Sequence, residues 1–303
     1  MVTHRILLFY KYIAIDDPKA VCEEQRALCE KHNLKGRIIV AHEGINGTVE
    51  GLASDTKAYI AEMEKSKYFQ NISYKKSEGT GKAFPKLSVK VRPEVVTTKV
   101  VGLDPTVETG KYLSAEVLHK WYEQGKEFYV VDMRNDYEYA SGYFEGFIPS
   151  GMRNFYDLKS VLPKLSHLKN KTVVTVCTGG IRCEKASGFL VQNGFADVYQ
   201  LKDGIQTYME KYPNEHFKGK LYVFDGRITL GFHTDDPKHE IVGKCDHCGV
   251  PCDSYVNCGF NECHRHFISC DNCVDKETGL AFCNDDCKAN YFKITVHHKR
   301  ASA

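Results

Sequence analysis

The chain has 303 residues and a formal net charge of +2; 42% of the residues are hydrophobic and 26% charged. That composition is ordinary for a soluble globular protein, and the length points to two or three domains. No window holds the roughly 18 consecutive apolar residues of a membrane helix, so no membrane association is expected. The apolar run Ile6-Leu7-Leu8-Phe9-Tyr10 turns charged at Lys11, Asp16 and Asp17 without a small-residue cleavage site. No signal peptide is read there, and the expected location is cytoplasmic. Nine of the 13 cysteines lie between Cys245 and Cys287. Such clustering suits metal binding better than a disulfide framework.

Residues 1–93 read as a small α/β unit. An apolar strand over 6–10 precedes a helix that Pro18 opens and that runs to about His32. Arg37-Ile38-Ile39-Val40-Ala41 is a second strand, Gly44-Ile45-Asn46-Gly47 a turn, and Thr48-Val49-Glu50 a third strand. Ser54 is the expected N-cap of a helix through Lys65, and 71–76 and 87–91 are further strands. The order β-α-β-β-α-β predicts a ferredoxin-like split βαβ domain. His42 and Glu43 either face a substrate cleft or serve the turn backbone. From Lys65 to Arg92, eight basic residues stand against one acidic residue, Glu78, with Tyr68, Phe69, Tyr74 and Phe84 interleaved. Such a stretch can track a phosphate backbone and stack on unpaired bases, which makes Lys75, Lys76, Lys82 and Lys86 the expected RNA contacts. The plainer reading is a solvated lysine-rich edge.

Residues 94–110 read as a linker, with Gly102 and Pro105 among mixed Val and Thr and room for one strand. Residues 111–213 alternate strands and helices in a doubly wound α/β pattern. The segment 128–132 is a strand, and 172–176 has the near-continuous apolar character of a buried parallel strand. A helix over 184–193 closes at Gly194. A strand over 198–201 and a helix over 205–212 follow.

Cys177 is singled out by its position. It ends a central strand immediately before the Gly-rich loop Thr178-Gly179-Gly180-Ile181 and a helix, where reactive groups collect in open α/β sheets. The two glycines let the backbone curl into an anion-stabilising nest. The helix N-terminus and Arg182 add positive potential, which favours the nucleophilic thiolate. Cys183, six residues on, could resolve a persulfide or sulfenate on Cys177 through a disulfide, or could simply pack in the first helical turn.

These residues resemble a known family. Strand–Cys-x-Gly-Gly-x-Arg–helix is similar to the active loop of rhodanese domains, in which the cysteine carries a persulfide. Asp132-Met133-Arg134-Asn135 with Glu138 and Gly142 resembles the family's earlier segment and makes Asp132 and Arg134 supporting residues. Leu201-Lys202-Asp203-Gly204-Ile205 resembles its late turn. The arginine five positions after the cysteine matches sulfur-handling rhodaneses; related phosphatases place it six positions after. Two departures stand out: Tyr143 occupies a frequent histidine position, and Asp203 occupies that of a glycine.

Two longer motifs, Gly36-Arg37-Ile38-Ile39-Val40-Ala41-His42-Glu43-Gly44-Ile45-Asn46-Gly47-Thr48 and Cys177-Thr178-Gly179-Gly180-Ile181-Arg182-Cys183-Glu184-Lys185-Ala186, are similar to the hallmarks of the oxygen-dependent, rhodanese-containing tRNA uridine hydroxylases. The resemblance covers nearly the whole chain. It implies hydroxylation of a wobble uridine in tRNA to 5-hydroxyuridine with dioxygen as co-substrate and Cys177 as the catalytic cysteine. No flavin, haem or nucleotide motif and no iron-binding facial triad is visible. The loop alone would favour a sulfurtransferase that passes persulfide sulfur from Cys177. A non-enzymatic RNA-binding or zinc scaffold is the third reading. The sequence leaves the oligomeric state open.

In the tail, residues 214–303, the pairs Cys245/Cys248, Cys258/Cys263, Cys270/Cys273 and Cys283/Cys287 supply eight thiols, enough for two four-coordinate structural zinc sites. Cys252, His247, His264 and His266 are spare ligands. A cross-braced pairing and a sequential one both fit. With few aliphatic residues, the segment would take its folding free energy from metal binding.

Overall fold

In a computed structural model, which describes residues 3–301, the N-terminal unit is built from β1 (His4–Tyr12), α1 (Pro18–Lys31), β2 (Lys35–Ala41), β3 (Gly44–Leu52), α2 (Ala53–Met63), β4 (Tyr74–Gly79) and β5 (Leu87–Val91). Pro18 stands at the first helical position, and the Asp17 carboxylate accepts the Lys19 and Ala20 N–H groups at 3.0 and 3.1 Å. The strands run β4-β1-β3-β2-β5, antiparallel except for the parallel β2–β5 pair. This is the expected ferredoxin-like arrangement with one strand added at the edge. Alternation along the strands separates two faces. Leu7, Phe9, Ile38, Val40, Ile45 and Val49 pack against Cys29, Tyr59 and Met63 of the helices. Leu8, Tyr10, Arg37, Ile39, Asn46 and Thr48 point the other way.

Two local expectations need correcting. Gly44-Ile45-Asn46-Gly47 is not a turn but the start of β3, because the hairpin reverses at His42-Glu43, with Ala41 opposite Gly44. Ser54 does not cap α2: Leu52 holds that position without a side-chain cap, and the Ser54 hydroxyl bonds Asp55 instead.

Residues 94–110 contain no strand among the described residues, yet Val95, Thr98 and Leu103 are buried, so the segment is anchored at these points. The central unit comprises β6 (Lys111–Leu113), α3 (Ala115–Glu123), β7 (Tyr129–Asp132), β8 (Gly142–Phe144), β9 (Ile148–Pro149), α4 (Val161–Leu165), β10 (Thr172–Val176), α5 (Ile181–Gln192), β11 (Asp197–Leu201) and α6 (Gly204–Lys211). Its parallel sheet runs β6-β11-β10-β7-β9. One face buries Val131 and Val173 against Phe189 and Leu190; the other buries Val130, Val174 and Val176 against Leu118 and Tyr208. Cover on both faces is what makes a parallel sheet's strands apolar throughout.

The tail begins with β12 (Phe217–Gly219), which pairs antiparallel with β8 and ties the tail to the central unit. Then come the pairs β13 (Leu221–Tyr222) with β14 (Thr229–Leu230) and β15 (Tyr255–Asn257) with β16 (His266–Ile268), and finally α7 (Asp285–Ala301). Its small cores contain cysteines: Cys245, Cys252, Tyr255 and Ile268 form one, and Cys258, Phe267, Phe282 and Cys287 another.

Candidate active site

Parallel β10 delivers Cys177 to the carboxyl end of the sheet, and α5 begins four residues later. Gly180 has φ +102°, which lets the loop turn back so that its N–H donates to the Cys177 Sγ at 3.2 Å. Those glycines answer a second requirement as well. A Cβ on Gly179 would stand 2.6 Å from the Leu8 side chain, and one on Gly180 would stand 2.7 Å from the Tyr10 hydroxyl. The open face of the N-terminal sheet therefore rests directly on the loop.

Cys177 is fully buried. Burial opposes its ionisation, but the Cys183 thiol, the Arg182 charge and the backbone N–H groups of Cys183 and Gly180 together outweigh it, and the thiol is lowered to about 6. Cys183 moves the opposite way: burial and the adjacent Cys177 push it well above the usual thiol range, so it remains the protonated donor of the pair. Arg182 is not a free cation aimed at a ligand. It forks onto Glu138 at 2.5 and 2.8 Å and also donates to the Thr178 hydroxyl at 3.2 Å. Asp132 and Arg134 form a buried ion pair at 2.6 Å. Arg134 also donates to the Gly142 carbonyl at 2.7 Å and so fixes the strand connection that carries Glu138.

The N-terminal unit is held on the loop by polar contacts that sequence reading missed. The Tyr10 and Tyr112 hydroxyls and the Gln200 amide all donate to the buried Glu184 carboxylate at 3.0–3.1 Å. Tyr12 donates to the Ile181 carbonyl at 3.2 Å. Lys185, 1% exposed, joins Glu43 at 2.8 Å and Glu94 at 2.7 Å. Glu43 thus clamps the interface, and the His42 ring bonds the Ile15 carbonyl at 3.0 Å; neither lines the cavity onto which Cys177 opens. Lys75 was expected on an RNA surface, but it is buried and paired with Asp203 at 2.9 Å, so it has no access to a phosphate. Lys76, Lys82 and Lys86 are exposed. Asp203 takes the left-handed conformation at φ +63°, which Asp tolerates better than most residues, and there it meets Lys75. This accounts for its departure from glycine. Tyr143 stacks on Phe147, with ring centroids 4.7 Å apart.

Cys177 opens onto a cavity of about 320 Å³ between the two units, lined mainly by apolar groups such as Leu8, Ile39, Phe84, Phe155 and Phe224. Asn135 also lines it. That residue is 8% exposed, its Nδ2 bonds the Tyr137 hydroxyl at 2.9 Å, and its buried Oδ1 has no hydrogen-bond partner.

In the tail the cysteines form two groups, Cys245/Cys248/Cys270/Cys273 and Cys258/Cys263/Cys283/Cys287, each with its sulfurs within 4.8 Å of one another. The pairing is cross-braced. Adjacent sulfurs lie 3.6 Å apart. A disulfide would need about 2.05 Å, whereas a tetrahedron of ~2.3 Å zinc–sulfur bonds has edges of about 3.8 Å. Either group could hold a metal ion. Cys252, His247, His264 and His266 belong to neither; His266 bonds the Tyr222 hydroxyl at 2.9 Å instead.

Three family models match successive stretches of the chain. The family described as UPF0176 acylphosphatase like domain matches residues 4–95, the Rhodanese-like domain 114–211, and the Rhodanase C-terminal family 218–288. A protein of Cytophaga hutchinsonii named tRNA uridine(34) hydroxylase is 40% identical over 290 residues, which cover 96% of this chain and 91% of that protein. Proteins of the same name from Staphylococcus carnosus and Bacillus licheniformis are 41% and 40% identical and are covered to 84% and 89%. Among solved structures, the rhodanese-like domain of an Anabaena protein overlays 37% of this chain and 80% of its own, at 20% identity and a TM-score of 0.32.

Proposed function

The chain belongs to the tRNA uridine(34) hydroxylases, and from that premise we propose that it hydroxylates uridine 34 of tRNA at C5, with dioxygen as co-substrate and Cys177 as the reacting group. The observation that supports this most is a thiol lowered to about 6 at the floor of a largely apolar cavity of about 320 Å³, with ample room for a pyrimidine base. Enzymes that act on a base take it out of its stack into such a chamber. A thiolate there is a strong nucleophile toward an electron-poor ring carbon such as C6 of uracil: the C6–S bond forms as the C5=C6 π pair moves to C5, C5 takes one oxygen atom of dioxygen while a two-electron donor reduces the other to water, and loss of the C5 proton expels the thiolate and restores the double bond. Arg182, Thr178 and Glu138 position the loop, and Cys183 keeps Cys177 ionised by donating to it. The unpartnered Asn135 Oδ1 complements the N3–H of uracil; cytosine carries no hydrogen there. The sulfurtransferase alternative is not favoured, since the full-length relatives carry the hydroxylase name.

The tail sites suit zinc in a structural role, with each cross-braced set of four thiolates closed to further ligands. A cytoplasmic location fits tRNA as the substrate.

The test is nucleoside mass spectrometry of tRNA from cells lacking the gene, complemented by wild type or by Cys177→Ser. Loss of 5-hydroxyuridine, restored by wild type alone, is the expected result. Unchanged hydroxyuridine with altered thiolated nucleosides would overturn the assignment in favour of sulfur transfer.

A further inference from the structure

The open face of the N-terminal sheet continues past the catalytic cavity. Residues directly opposite one another in paired strands point to the same side of a sheet. One row therefore runs Leu8, Thr48, Arg37, Ser88 and the next runs Tyr10, Asn46, Ile39, Lys90, from β1 across β3 and β2 to the edge strand β5. The inner ends of both rows cover Cys177. Their outer ends form a second groove, of about 310 Å³, lined by Lys86, Lys90 and Arg92 and sharing Arg37, Ile39 and Phe84 with the catalytic cavity. No acidic residue lines this groove, and among the described residues Arg37, Lys86, Lys90 and Arg92 form no salt bridge. Arg37, Lys86, Lys90 and Arg92 are exposed, while Phe84 and Ile39 give an apolar floor between them.

Resting on the tRNA-hydroxylase reading, we propose that this groove is the track for the single-stranded RNA backbone flanking the target uridine, with Arg37, Lys86, Lys90 and Arg92 holding its phosphates. Charge and continuity both argue for it. Four unpaired cations in one groove match a polyanion, and the groove leads into the chamber that must receive the flipped base. Unpaired nucleotides suit it because a cationic channel beside an apolar platform follows a strand without requiring a duplex. The same register excludes two lysines of the basic segment. Lys75 stands opposite Leu8 and is trapped under the central unit, whereas Lys76 stands opposite Leu7 and points to the helix side of the sheet.

The experiment measures binding of unmodified tRNA transcript by the full chain across a salt series. Each phosphate contact on single-stranded nucleic acid contributes about 0.7 to the slope of log affinity against log salt. Arg37→Gln with Lys90→Gln should weaken binding at least about tenfold and flatten the slope by about 1.4. Lys76→Gln should change neither. Wild-type affinity and slope in the double variant would overturn the proposal, as would an equal loss in Lys76→Gln. Hydroxylation is read separately on the same samples: a wild type that binds through these cations but never hydroxylates the tRNA would sink the activity and leave the surface standing.

Discussion

Replacing Cys183 with alanine should raise the pKa of Cys177, because it deletes the donor that stabilises the thiolate more than any other group around it. A hydrogen bond to a charged group is worth about 1.5–3 kcal/mol, and one pKa unit corresponds to about 1.4 kcal/mol. The thiol should therefore move from about 6 to roughly 7–8. The sign follows from the direction of the native shift. A lowered thiol is ionised at neutral pH and becomes a poor nucleophile only as pH falls through its pKa. At pH 7 the thiolate fraction should drop from about nine-tenths to between about one half and one tenth. The assay is the pH dependence of Cys177 alkylation by iodoacetamide, followed by mass spectrometry of the peptide. Cys183→Ser, which keeps a hydroxyl donor, should shift the curve less than Cys183→Ala. Superimposed curves for wild type and Cys183→Ala would refute the argument, since the depression would then owe nothing to the neighbouring thiol.

Glu138→Ala should destabilise the protein by about 3–5 kcal/mol in urea unfolding, because it strands the guanidinium of Arg182, whose side chain is 8% exposed, without its partner. A loss below about 1 kcal/mol would mean that Arg182 finds water or another acceptor. Asn135→Leu should lower kcat/KM for tRNA about tenfold, the worth of one hydrogen bond, and lower the urea midpoint through the lost bond to Tyr137; unchanged kinetics would remove Asn135 from base recognition. Purified protein should hold about two zinc ions per chain by elemental analysis, and Cys245→Ser and Cys270→Ser should each leave about one. The Cys245→Ser/Cys270→Ser double variant should still hold about one; if it held none, the cross-braced pairing would be wrong.

What the sequence could and could not announce follows from which interactions are local. The Cys177 loop was legible because strand, glycines and helix are contiguous, and the four cysteine pairs because each pair lies within a few residues. The pairing of those pairs was not, since it joins thiols 20 or more residues apart. Glu138 was quoted among the motif residues, yet its role as the partner of Arg182, 44 positions away, is set by the fold. Lys75 was misplaced because a count of charges has no knowledge of sheet faces: one residue of register separates it, buried beside Asp203, from Lys76 in solvent. Gly44-Ile45-Asn46-Gly47 looked like a turn because Gly and Asn are turn formers. In β3 the glycines meet a different demand. A Cβ on Gly44 would stand 2.0 Å from the Lys11 carbonyl, and one on Gly47 would stand 2.5 Å from the Phe9 ring.

That close approach of β1 and β3 bears on function. It draws Leu8, Tyr10 and Asn46 together into one flat face, and that face is what Gly179 and Gly180 are bare enough to accept. The Cys177 loop is thereby covered. Here the sheet lies over it, Glu184 and Lys185 at the head of α5 are consumed in holding the two units together, and the way to Cys177 runs through the cavity beneath the sheet. The two long motifs, more than a hundred residues apart in the chain, are therefore the floor and the roof of one chamber. The cavity over Cys177 lies in their contact rather than in either motif alone.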